Sequence, residues 1–139
     1  GLSVIAMAYT IGSISGCHIN PAITLGVALS GRMSWKDACG YWAGQLVGGL
    51  IGAAILFAFC AVSGVEMGGA NGVANAGGIG GALLVETVAT FIFVLVVLGT
   101  TDAKKGAGNL AGVAIGLTLV LVLLVCTKKH SVHVQNVQD

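Results

Sequence analysis

The chain has 139 residues, of which 56% are hydrophobic and only 8% charged, with a formal net charge of +1. A soluble domain carries roughly 25% charged residues, so this surface is not built for water. The charge balance offers no clustered Lys and Arg face for nucleic acid. Four cysteines, Cys17, Cys39, Cys60 and Cys126, are scattered without a CxxC pair, which argues against a disulfide framework or a zinc site.

Residues 1–15 read as part of a spanning helix, and the apolar start without a basic leader predicts no signal peptide. The stretch Ser15-Gly16-Cys17-His18-Ile19-Asn20-Pro21-Ala22 follows. Asparagine is a favoured N-cap, and proline fits the first helical turn because its missing N–H would be unpaired there anyway. A helix is therefore predicted over 20–29. It is far too short to cross a bilayer and reads as a re-entrant or interfacial piece closed by Ser30-Gly31-Arg32.

Residues 35–62 make a full span with Gly44, Gly48 and Gly52 at four-residue spacing, a stripe on which another helix can pack closely. Residues 63–81, rich in Gly, Asn and Ala, read as an external loop. A span over 82–101 carries one carboxylate, Glu86, and a short charged linker with Lys104 and Lys105 leads to a last span over 110–127. There Gly108, Gly112 and Gly116 repeat the small-residue stripe. Every backbone polar group in lipid needs a partner inside its own segment, so an all-α membrane bundle is the expected class. Arg32, Lys36, Lys104 and Lys105 mark two loops as cytoplasmic, whereas Lys128 and Lys129 fall in a polar tail, 128–139, that the same rule puts outside.

A faint internal repeat aligns Gly1-Leu2-Ser3-Val4-Ile5 with Gly116-Leu117-Thr118-Leu119-Val120. Inverted repeats place functional sites between their halves, where broken helices meet near the midplane. In that register Asn20 faces Gln135, Pro21 faces Asn136 and Ala22 faces Val137, so a second Asn-Pro-Ala is missing.

The stretch Ser15-Gly16-Cys17-His18-Ile19-Asn20-Pro21-Ala22-Ile23-Thr24 resembles the aquaporin (major intrinsic protein) pattern SG-x-H-x-NPA-x-T. Residues 40–49, Val85-Glu86-Thr87 and residues 112–117 are similar to that family in the same order. The resemblance implies an incomplete inverted-repeat bundle with one re-entrant half-helix, and a passive channel for water at the plasma membrane. No nucleophile, base and orienting group can be named together, so no enzyme activity is expected, nor a cofactor or a metal. The resemblance implies a homotetramer in the complete protein, with the lipid bilayer and water as partners. Glycerol or another small neutral solute is the nearest alternative substrate. A secondary transporter using Glu86 as its coupling site and a non-conducting structural subunit are rival classes.

By the same resemblance Asn20 donates its side-chain amide to water, and the carbonyls of Gly16, Cys17 and His18 accept from it. Pro21 and Ala22 pack against the other half-helix, and Glu86 supports a pore loop through backbone N–H groups. Leu123 stands where water channels usually have histidine. The bland readings are that Asn20-Pro21 merely caps a helix, that His18 is an interior histidine, and that Glu86 is a proton relay. His130 and His133 share a helical spacing but lack further ligands for a metal. With one half-helix, the chain as written is expected not to conduct.

Overall fold

The computed structural model describes residues 1–65 and 78–127, the side chains of 125–127 excepted. Every regular element in it is helical: α1 (Leu2–Ser15), α2 (Pro21–Leu29), α3 (Trp35–Ser63), α4 (Ile79–Thr100) and α5 (Ala111–Thr127), the last preceded by a 3₁₀ turn at Gly108–Leu110. Residues 66–77, most of the expected loop, and the tail with Lys128, Lys129, His130 and His133 lie outside the described residues. The helices fall into two units, α1 with α4 and α5, and α2 with α3.

In the first unit α5 packs against both α1 and α4. Its glycines explain the first contact. A Cβ built on Gly116 would overlap Ile5 Cγ1 and come within 3.0 Å of the Gly1 carbonyl oxygen. One on Gly1 would overlap Val120 Cγ2 and come within 2.8 Å of the Gly116 carbonyl oxygen. Gly1 thus meets Gly116 and Val120, while Gly116 meets Gly1 and Ile5. That reciprocity is what a two-fold relation between the aligned segments 1–5 and 116–120 requires. Further along, a Cβ on Gly112 would lie 3.3 Å from Ala8 Cβ and 3.2 Å from Tyr9 Cε2, so the helices run antiparallel. Phe93 and Val97 are the buried residues of α4.

Several hydroxyls of these helices turn back on their own backbones and so satisfy their hydrogens without water. Thr10 donates to Ala6 O at 2.7 Å, Thr87 to Leu83 O at 2.7 Å and Thr118 to Ala114 O at 2.8 Å. Between α4 and α5, the Asp102 carboxylate accepts the N–H groups of Lys104 and Lys105, both at 2.9 Å, and Ala107 N–H closes on Thr100 O. α4 starts at Ile79, three residues before the expected 82. Gly78, with φ 101°, makes the break, and Gly80 and Gly81 continue as helix.

In the second unit α2 lays Ile23, Thr24, Val27 and Ala28 on α3, whose Ala38 is fully buried. Gly31, with φ 73°, ends α2, and Arg32 N–H reaches back to Val27 O. Ser34 then caps α3 reciprocally: its Oγ accepts Asp37 N–H at 3.1 Å and donates to Asp37 Oδ2 at 2.7 Å. At about 1.5 Å per residue α3 is roughly 43 Å long and α2 roughly 13 Å. α3 and α4 are each long and apolar enough to cross a bilayer, whose hydrocarbon core is about 30 Å thick; α2 is not.

Candidate functional site

α1 stops because Gly16 adopts the left-handed conformation, φ 73°, with its N–H on Gly12 O at 2.9 Å. Cys17 follows at φ 54°, the one non-glycine residue with positive φ among those described. Its N–H takes Ser15 Oγ at 3.3 Å. A left-handed cysteine costs roughly 1–2 kcal/mol, so this turn holds backbone strain directly before the Asn-Pro-Ala segment.

Asn20 sits in extended backbone, φ −137° and ψ 127°, and its Oδ1 accepts Ala22 N–H at 2.8 Å. That bond settles the amide's direction. An N–H donor needs the oxygen, so both Nδ2 hydrogens are left facing away from the helix. Pro21 occupies the first helical position. The N-terminus of α2 concentrates about half a positive charge, so Asn20 presents two donors at an electropositive point.

α3 holds this helix start with two side-chain donors one turn apart. Trp42 Nε1–H donates to Pro21 O at 3.2 Å. Gln45 Nε2 donates to His18 O and, at 2.9 Å, to Thr24 Oγ1. The His18 carbonyl, expected as a free acceptor, therefore has one of its two lone pairs taken by Gln45. The His18 ring packs on Tyr41 with centroids 5.1 Å apart and planes tilted by 39°. An open groove of about 980 Å³ runs along this face of α3, lined by His18, Arg32, Lys36, Tyr41 and Gln45 over a floor of glycines. His18 Nδ1 and Gln45 Oε1 are buried there without a hydrogen-bond partner among the described residues.

The structure thus brings His18, Asn20, Pro21 and Ala22 together on one side of α3. Gly16 and Cys17 close α1, and Glu86 on α4 and Leu123 on α5 are exposed residues of that other unit. Trp42 and Gln45 escaped the sequence reading as site residues. The signal was available for Gln45: an amide in an otherwise apolar span is expensive unless irregular backbone nearby uses it. No group of three or more His, Cys, Asp or Glu able to hold a metal occurs among the described residues.

A family model described as Major intrinsic protein matches residues 1–132. The chain is 40% identical over 134 residues to Aquaporin Z of Brucella melitensis biotype 1, covering 90% of this chain and 58% of that protein. Against Aquaporin Z of Rhodopseudomonas palustris it is 40% identical over 135 residues, covering 90% and 55%. The chain therefore spans little more than half the length of these relatives.

Proposed function

The chain belongs to the major intrinsic protein family, a family of integral membrane channels rather than enzymes, and on that premise we propose that the complete protein is a passive water channel. One observation carries the reading. Asn20 Oδ1 is spent on Ala22 N–H, so the two Nδ2 hydrogens are presented as donors at the positive end of a helix too short to cross the membrane. A water oxygen accepts from such donors, while a cation or a proton is opposed by the helix end. His18 O keeps one lone pair to accept from the same file, and the Gly16 and Cys17 carbonyls extend it. Pro21 and Ala22 face the second half-helix, Leu123 lines the narrow zone, and Glu86 supports a pore loop.

The names of the two relatives support water as the solute, and glycerol is the second reading. Homotetrameric assembly and residence in the plasma membrane go with the same proposal. The 139-residue chain contains one Asn-Pro-Ala, and a pore of this kind needs two facing helix starts, so the chain alone is proposed not to conduct.

The test is osmotic shrinkage of proteoliposomes carrying the full-length protein. Shrinkage several-fold faster than in empty vesicles is expected, with a low activation energy and slow glycerol entry. Rates equal to empty vesicles overturn the channel, and fast glycerol entry moves the assignment to the second reading. Mercurial modification of Cys17 should block the flux; persistent flux with Cys17 fully modified removes this residue from the pore wall.

A further inference from the structure

Gln45 lies roughly 15 Å along α3 from Trp35, half the thickness of a hydrocarbon core. An amide at that depth must satisfy its hydrogens within the protein. Both are used. One goes to His18 O and the other to Thr24 Oγ1. The nitrogen's identity is fixed, because a carbonyl oxygen only accepts. Thr24, with no exposed surface, accepts from Gln45 and donates its own hydrogen to Asn20 O at 3.4 Å. Asn20 is thereby bracketed, two residues upstream through His18 and at its own carbonyl through Thr24.

We propose that Gln45 is a positioning residue that holds Asn20 in the stance where Oδ1 caps Ala22 and the amide nitrogen faces outward as a donor. The loop it restrains follows Cys17, whose left-handed backbone, φ 54°, favours rearrangement once a restraint is lost. Trp42 acts on Pro21 O, downstream of Asn20, and does not duplicate the bracket. The functional meaning of this role rests on the channel reading; the bracketing geometry does not.

Hydrogen–deuterium exchange on the 139-residue chain in lipid nanodiscs reads the cap directly, because Ala22 N–H is protected by Asn20 Oδ1. Gln45→Met, which keeps volume and removes the donors, is expected to speed exchange at Ala22 by about five- to tenfold, the equivalent of one hydrogen bond, with α3 amides unchanged. Thr24→Val removes both the Gln45–Thr24 and the Thr24–Asn20 bonds while leaving the bond to His18 O, and should give a loss at the same amide. Unchanged protection at Ala22 in both variants overturns the proposal, as does a loss spread evenly over α2 and α3, which marks a merely structural glutamine. In the full-length protein, Gln45→Met should raise the ratio of proton to water permeability, a quantity that does not depend on how many channels fold. An unaltered ratio overturns the positioning role while leaving the channel standing; absence of any wild-type flux overturns the channel while leaving the exchange result intact.

Discussion

The two units hold their helices together by different means. Between α1 and α5 contact is made by removing side chains: a Cβ on Gly1 or Gly116 would collide with the partner helix, and one on Gly112 would press against Tyr9 and Ala8. Between α2 and α3 it is made by adding polar ones, since Trp42 and Gln45 donate into the carbonyls around the start of α2. Gly44, Gly48 and Gly52 of α3 carry the same sequence signature as the α5 stripe, yet a Cβ built on any of them meets nothing within 4 Å. The reason is the state of the backbone. Two continuous helices have satisfied their own carbonyls and attract one another chiefly by dispersion at close range. The loop that enters the nine-residue α2 leaves the His18 carbonyl outside any helix, and Gln45 supplies its donor. A small-residue stripe therefore tells that helices can approach, and an intramembrane amide tells where the chain is irregular.

The sharpest way to break this contrast is to fill both stripes. Gly116→Ile must displace Ile5 and the Gly1 carbonyl, and should destabilise by about 3 kcal/mol, the upper end for overpacking. Gly48→Ile should cost less than about 0.5 kcal/mol. Both are read by reversible denaturation in mixed micelles followed by tryptophan fluorescence. Equal costs would mean that the α3 stripe is covered in the assembled protein, and the contrast would then belong to the chain alone.

Next in size is the cap. Asn20→Ala removes the acceptor for Ala22 N–H and should cost about 1 kcal/mol in the same measurement. Asn20→Asp keeps the acceptor and loses the outward donors. Its stability should stay close to that of the wild type while water flux through the full-length protein falls, which separates capping from conduction.

The bundle was legible in the sequence because hydropathy and length suffice for spanning helices, and the start of α2 was legible because Asn20-Pro21 is a local signal. The aligned pentapeptides 1–5 and 116–120 lie against each other in the antiparallel α1–α5 contact. What the sequence did not disclose is non-local. Gln45 reaches back 27 residues to His18, and nothing in periodicity says which carbonyl an amide will find. The glycine stripes were indistinguishable as patterns, since occupancy depends on what else is packed nearby. Glu86 and Leu123 were placed by resemblance, and their helices form where the hydropathy predicted them.

The smallest effects compare one hydrogen bond in each unit. Trp42→Phe deletes the donor to Pro21 O, about 10 Å along α3, and should cost about 1 kcal/mol. Tyr9→Phe deletes the donor to Asn109 O, at the end of α5 next to the charged linker of Lys104 and Lys105. Water reaches that carbonyl, and the Tyr9 ring keeps its seat over Gly112, so the loss should be about 0.5 kcal/mol or less. Tyr9→Ala, which removes the ring, should cost several times more. If Tyr9→Phe instead matches Trp42→Phe, the α1–α5 pairing also leans on polar contacts, and the division between the two units is one of degree.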